Sequence, residues 1–353
     1  MNTELIVADL FEWKEAAQHA ADALLAGQVV AVPTETVYGL AASIHDETAL
    51  QEIYKAKERP SYDPLIVHIG DLDDLEEVAD IDDAIVPVVQ DLVDAFWPGP
   101  LTLVLPKLDH LSDIITSGLD TVAVRMPSHE IMQEICQLAG PLAAPSANRF
   151  GRISPTSAPA VMDELGGRIP LIIDGGACSE GVESTIIRIS PPPAEGKKPI
   201  FTLLRPGAIT REQLRAYGKV EKPKPPRKDA TADPAPSAAS PIESPGLLES
   251  HYAPVTPLYL YDSIEEFQPE PGKKYGLLSV KGEKGRFYDA HDWASEVTLS
   301  PGSGKVSEAA VRFYWALREL DKAGLDAIIA EPIQTANVGE ALMDRLKKAA
   351  VNR

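Results

Sequence analysis

Hydrophobic positions along this chain alternate between helical stripes and short strand-like runs. Trp13, Ala16, Ala17, Ala20 and Leu24 recur at helical spacing and Gly27 closes the pattern, which predicts a helix ahead of the first strand. Val29-Val30-Ala31-Val32 is short, β-branched and stopped by Pro33, the mark of a buried strand that hands polar residues to a turn. Asp46 stands where it caps a helix carrying Ala49, Leu50, Ile53 and Tyr54 on one face. Arg59-Pro60 ends that helix, because the residue before proline is pushed out of the α region. Further strand-like runs occupy 101–105, 121–124, 171–173, 184–189 and 200–204, with helical segments at 128–139 and 157–166. The expected fold of this half is α/β with a twisted mixed sheet, in which strands too close for a helical crossover pair antiparallel.

From Lys219 to Gly246 the periodicity vanishes: seven prolines lie between Pro223 and Pro245 among Ala, Ser, Lys and Asp. Such a stretch buries too little surface to offset its chain entropy, so an extended linker is expected. Its basic residues Lys219, Lys222, Lys224, Arg227 and Lys228 read as solvated charge. Beyond it, strands are predicted at 258–261, 275–280 and 326–330, with helices at 307–323 and 339–350. That alternation predicts a smaller Rossmann-like α/β domain. The expected division is residues 10–210, a linker over 211–254, and 255–353. Asp344 and Arg345 are expected as a helix-surface pair.

Charge and cysteine usage narrow the function. The 353 residues carry 33 basic and 53 acidic side chains, a net charge of -20, which repels phosphate backbones and excludes a broad nucleic-acid binder. Cys136 and Cys178 are the only cysteines, too few for a multi-bridge framework or a four-cysteine zinc site. Cys136 falls with Ile131, Ile135 and Leu138 on a helix after Ser128 and is expected in the core. With no basic leader and no apolar run near the ~18 residues a bilayer requires, the chain is expected to be soluble and cytoplasmic, with no membrane partner. The acidic run Asp71 to Glu77 reads as an exposed helix start, and no metal ligand is assigned. Neither a Gly-x-Gly-x-x-Gly nor a Walker lysine motif occurs, so a bound nucleotide requires another architecture.

Candidate chemistry gathers in two loops. The first, Pro33-Thr34-Glu35-Thr36-Val37-Tyr38-Gly39-Leu40, follows the first strand; Lys57 and Arg59 follow at the helix exit, where the plain reading is complementing the helix dipole. The second, Pro145-Ser146-Ala147-Asn148-Arg149-Phe150-Gly151-Arg152, follows Leu142-Ala143-Ala144 in the same design. Two such loops can face one ligand.

PTETVYGLA, the KER of Lys57 to Arg59, PLIVHI, WPGPLTLVL, TVAVRMP, APSAN, GVESTII and LLRPGAI run in order over roughly the first 210 residues and resemble the YrdC-type family. Its longer members are threonylcarbamoyl-AMP synthases with an appended C-terminal domain. Ser244-Pro245-Gly246 and His251-Tyr252-Ala253-Pro254 are similar to the interdomain signature of those members, which folds back over the nucleotide site; Leu247 to Ser250 depart from it. By resemblance, Lys57, Arg59, Ser146 and Asn148 carry the catalytic motifs. Arg59, Asp63, Thr121, Ser146, Ser154, Arg205 and His251 line the ATP site, and Thr36, His68, Arg125, Ala144 and Ser184 the threonine site.

The resemblance implies ATP, L-threonine and bicarbonate or carbon dioxide as substrates. It also implies Mg2+ entering with ATP without a dedicated protein ligand, and transfer proteins that pass the product to tRNA, with only weak or indirect tRNA contact by this chain. The residue types suit that chemistry: a planar guanidinium at Arg125 clamps a carboxylate through two hydrogen bonds, and small Ala144 leaves room beside the Thr36 and Ser184 hydroxyls. Each has a plainer role: Asp63 shapes a turn before Pro64, His68 sits in a core, Arg125 makes a surface ion pair, and Gly175-Gly176 is a strand-to-turn exit. Two alternatives stand beside it: a double-stranded RNA-binding module without catalysis, against which the net charge of -20 speaks, and a carbamoyl-adenylate former using carbamoyl phosphate, whose acylphosphatase and zinc-finger modules need a length and cysteines this chain does not have.

Overall fold

A computed structural model describes residues 1–8, 12–194, 197–223, 242–246, 251–282 and 287–351. The first helix, Trp13–Leu25, buries Ala16, Ala17, Ala20, Ala21 and Leu24, and Gly27 beyond it takes a φ of +78°, which a side chain would strain. The helix Glu47–Lys57 begins as expected, the Asp46 carboxylate accepting from the amides of Thr48 and Ala49, and its exit residue Glu58 is left-handed at φ 54°.

Eleven strands form the larger sheet: β1 (Glu4–Val7), β2 (Val30–Val32), β3 (Gly39–Ser43), β4 (Ile66–His68), β5 (Leu101–Pro106), β6 (Thr121–Arg125), β7 (Leu142–Ala143), β8 (Leu171–Asp174), β9 (Thr185–Ser190), β10 (Ile200–Arg205) and β11 (Lys219–Glu221). Their spatial order is β1-β8-β2-β3-β7-β4-β6-β5-β9-β10-β11. The sheet is mixed as expected: β2 and β3, β5 and β6, and β9 and β10 are antiparallel neighbours, whereas β4 and β6 run parallel.

This topology assembles the site. The ends of β4 and β6 coincide, with His68 opposite Arg125, and β5 and β9 begin at that same edge. Because β10 is antiparallel to β9, its last residue, Arg205, returns there opposite Ile186. Behind these polar ends, Ile66, Val104, Ala123, Ile186 and Leu204 pack as a small apolar cluster.

The smaller sheet contains β12 (Leu258–Leu260), β13 (Tyr275–Ser279), β14 (Ser295–Thr298) and β15 (Ala327–Ala330), all parallel in the order β12-β15-β13-β14. Helices Val306–Lys322 and Gly339–Ala349 supply Phe313, Tyr314, Leu317, Leu342 and Leu346 to a core that also takes Val37, Ile153 and Val182 from the larger sheet's side. One apolar cluster therefore spans both parts of the chain. Gly181, at φ +71°, lies in this contact, where an added Cβ would sit 2.4 Å from the Ala310 carbonyl oxygen.

Three observations modify the sequence reading. The segment expected as linker opens with an ordered turn, Arg211–Leu214, and with β11, which pairs parallel to β10. Lys57 and Arg59 are both buried, which sets aside their plain reading as cations complementing the helix dipole. Asp344 and Arg345 are not a surface pair either, since Arg345 is 0 % exposed and its Nε donates to Glu183 of the larger unit at 3.0 Å. Lys224, Arg227, Lys228 and the departing stretch Leu247 to Ser250 lie outside the described residues. Cys136 and Cys178 are buried free thiols, and among the described residues no helix is long and apolar enough to cross a membrane.

Candidate active site

The first loop is shaped by Thr34. Its hydroxyl donates to the Val37 carbonyl (2.7 Å) and accepts from the amides of Thr36 (3.1 Å) and Val37 (3.2 Å), a tight hydroxyl-centred turn. With that proton committed, the Thr36 hydroxyl donates to Thr34 across 2.9 Å and keeps its lone pairs for Arg125, whose Nη1 donates at 2.9 Å. The first and second loops are laced together by backbone: Leu40 N donates to Pro145 O, Ala147 N to Tyr38 O, and Gly39 bridges Ser146. An added Cβ on Gly39 would meet the Ala144 Cβ at 3.2 Å, so glycine allows the loops to approach.

Lys57 and Arg59 serve different ends. The Lys57 ammonium donates to the carbonyls of Ser146 (2.5 Å) and Asn148 (2.6 Å), and burial, then the nearby Arg59, holds its pKa well below the ordinary value. It is a clamp that ties the helix exit to the second loop. Arg59 is anchored by the carbonyls of Asp63 (3.0 Å) and Pro64 (2.7 Å) and pairs with the Asp63 carboxylate at 2.9 Å. Burial raises the Asp63 carboxyl even beside that guanidinium.

Opposite, Ser184 and Arg205 interlock: Arg205 donates from Nη2 to the serine hydroxyl (3.0 Å) and from Nε to its carbonyl (3.1 Å), while the same hydroxyl lies 2.7 Å from that of Thr102. The neighbouring Glu183 receives Ser154 Oγ (2.6 Å), the Tyr314 hydroxyl (2.8 Å) and Arg345 Nε (3.0 Å). Burial alone would raise its carboxyl, but Arg345, Arg205 and Ser154 hold it at about 2. His68 is buried beside Arg125, Nδ1 3.1 Å from the Ile66 carbonyl, and burial followed by that guanidinium keeps it neutral at pH 7.

These groups enclose a cavity of about 50 Å³ lined by Thr36, Arg59, His68, Arg125, Ala144, Ser146, Ser184, Arg205 and His251, together with Thr34 and Glu183. The structure therefore brings both proposed half-sites to one chamber. A strap closes it: Pro245, Gly246, His251 and Tyr252 are walls, held by Lys348 Nζ on Gly246 O (2.8 Å) and Ala253 N on Gly151 O (2.8 Å). Small-molecule sites usually offer ~300–1,000 Å³, so the chamber with these walls in place is smaller than a nucleotide-sized ligand needs.

Five expected site residues do not line the chamber. Lys57 and Asp63 act on its walls as described. The Asn148 amide holds the second loop through the carbonyls of Arg149 and Arg152, and Ser154 reaches the site only through Glu183. Thr121 begins β6, at the opposite end from Arg125 and on the same face, beyond Ala123. Sequence reasoning also missed residues: Glu35 and Glu183 lie inside motifs that were quoted but not assigned. Tyr314 and Arg345 belong to helices whose pattern announced only a core and a surface.

A mixed-sheet α/β chamber with buried guanidiniums, hydroxyls and a neutral imidazole is the kind of site that suits small anionic ligands held away from water. Comparison with known proteins is specific. A family model described as Telomere recombination matches residues 22–207, and one described as Threonylcarbamoyl-AMP synthase, C-terminal domain, matches residues 209–351. The chain is 41% identical over 345 residues to the threonylcarbamoyl-AMP synthase of Bacillus subtilis, covering 95% of this chain and 92% of that one. It is 40% identical over 352 residues to that of Pyrococcus abyssi, covering 96% and 94%. The crystal structure of P. abyssi Sua5 complexed with L-threonine superposes with a TM-score of 0.81 at 36% identity, over 99% of this chain and 98% of that one. The chain belongs to the threonylcarbamoyl-AMP synthase family, a group of ATP-using, nucleotidyltransferase-type enzymes.

Proposed function

We propose that this protein joins L-threonine, bicarbonate or carbon dioxide, and ATP into L-threonylcarbamoyladenylate with release of pyrophosphate. The observation that carries the reading is the convergence of Arg125, Thr36, His68 and Ser184 with Arg59, Ser146 and Arg205 around one closed cavity. Arg125 clamps the amino-acid carboxylate, and the Thr36 and Ser184 hydroxyls meet threonine's remaining polar groups. The threonine ammonium gives a proton to solvent, the freed amine bonds to the carbon of carbon dioxide, and a second proton passes from the nitrogen to solvent to leave the carbamate. A carbamate oxygen then attacks the α-phosphorus, the bond to the bridging oxygen breaks, and pyrophosphate departs with that oxygen. Arg59 and Arg205 offset the charge that spreads over the phosphate oxygens, and a closed strap keeps water from the labile carbamate.

Magnesium arrives as part of the ATP substrate. No group of three or more His, Cys, Asp or Glu among the described residues is disposed to hold a metal, and the Glu183 oxygens are already taken by Ser154, Tyr314 and Arg345. Residues 10–210 are the catalytic part in this reading, 211–254 the strap-bearing connection and 255–353 an accessory domain. The product passes in the cytoplasm to transfer proteins that modify adenosine 37 of ANN-decoding tRNAs, and the net charge of -20 argues for weak or indirect tRNA contact.

The test is incubation with ATP, magnesium, bicarbonate and threonine, scored as pyrophosphate. Arg59→Ala is expected to act chiefly on ATP and Arg125→Ala chiefly on threonine. Equal turnover with serine, or without any amino acid, would overturn the assignment.

A further inference from the structure

The Arg125 guanidinium is 2 % exposed, yet it makes a single hydrogen bond, to Thr36, and its Nε has none. Its charge partner is Glu35, a neighbour of Thr36 in the first loop, with Oε2 3.5 Å from Arg125 Nη2. That separation exceeds the ~2.7–2.9 Å of a charge-assisted hydrogen bond. Glu35 is itself 5 % exposed, and neither of its carboxylate oxygens has a hydrogen-bond partner. The loop is pinned behind it, the Glu35 carbonyl accepting from Glu180 N at 2.8 Å. The pair therefore cancels charge without consuming the guanidinium's donors.

Position completes the picture. Arg125 lines the closed chamber, whereas Glu35 lines a separate outer cleft of about 780 Å³ with Trp13, His129, Asp174 and Gly175. Arg125 is thus the chamber-lining cation that faces the Glu35 carboxylate.

We propose that Glu35 is a specificity-determining residue that acts through Arg125 to select zwitterionic amino acids over bare carboxylates. This rests on the reading of the chamber as the threonine site. A bare carboxylate joining a neutral Arg125–Glu35 pair adds a negative charge that this pair does not compensate. An amino acid brings its own ammonium and adds no net charge. Without Glu35, Arg125 alone would compensate any carboxylate, and the discrimination would fall.

The full-length chain tests this with threonine and 3-hydroxybutyrate, which is threonine lacking the amine. The KM for threonine and the Ki of 3-hydroxybutyrate are measured in threonine-dependent pyrophosphate release, with equilibrium binding of both ligands alongside. Glu35→Gln is expected to reduce the Ki/KM ratio by about tenfold or more, the scale of one unit charge acting across a guanidinium at an effective dielectric near 20. Glu35→Ser is a second neutral variant should the isosteric one fold poorly, and Glu35→Asp should restore the wild-type ratio. If both ligands shift by the same factor, or neither shifts, Glu35 merely shapes the loop and the proposal fails. A wild-type protein that binds no threonine would instead remove the functional reading beneath it.

Discussion

Replacing Arg345 by methionine tests whether the helix Gly339–Ala349 holds the chamber wall. Arg345 is fully buried; its Nε donates to Glu183 Oε2 (3.0 Å), its Nη1 to Asp344 (2.8 Å), and its guanidinium lies 5.2 Å from the centre of the Tyr252 ring. Methionine retains the apolar stem but strands Glu183, and breaking a buried pair costs about 3–5 kcal/mol. Glu183 keeps Ser154 and Tyr314 as donors, so the low end, about 3 kcal/mol, is expected. Urea unfolding of wild type, Arg345→Met, Glu183→Gln and the double variant measures it, with a coupling of about 2 kcal/mol expected. Pyrophosphate release should fall as well, because Glu183 precedes Ser184. A single-variant loss below about 1 kcal/mol with no coupling would show that this pair does not hold the wall.

Acidification should act through two groups in the same direction. Burial, then the Arg59 charge, lowers His251 from 6.5 to about 3, so the stability tied to its neutral form is full above 6.5 and declines as pH falls towards 3. Glu183 contributes fully above 4.5 and loses its contribution as pH falls towards 2; Glu183→Gln should flatten the dependence of the urea midpoint on pH in that lower window. Lys57→Met removes the donor on two second-loop carbonyls, at about 1–3 kcal/mol. Steady-state kinetics should then show the KM for ATP rising more than that for threonine, because Ser146 moves with its loop. Gly181→Ala places a methyl 2.4 Å from the Ala310 carbonyl at φ +71°, and should destabilise the chain by about 1 kcal/mol or more, seen as a lowered urea midpoint.

Local pattern was enough for the elements whose causes are local. The Asp46 cap, the Gly27 stop and the apolar stripe of Trp13–Leu25 depend on residues a few positions apart, and all three form where the pattern places them. The strands from Leu101–Pro106 to Ile200–Arg205 were legible because each is a short, mostly apolar or alternating run bounded by Pro, Gly or Asp. The motif residues were legible too, because a turn that presents hydroxyls and cations after a strand is written in consecutive residues.

Other features had no local sign. β11 (Lys-Val-Glu) and β14 (Ser-Glu-Val-Thr) sit at sheet edges, where half-exposed strands carry polar residues, so their identity comes from the strand beside them. Lys57 at a helix exit reads as a solvated cation, and only the second loop, 89 residues further on, supplies the carbonyls that bury it. Arg345 reads as helix surface until Glu183, 162 residues away, is packed against it. The chain order thus carries the strands, the caps and the chemical character of each loop. Which charges lie in the dry interior, and which partner each one faces, is decided by contacts between distant segments, because burial and ion pairing are properties of the packed molecule.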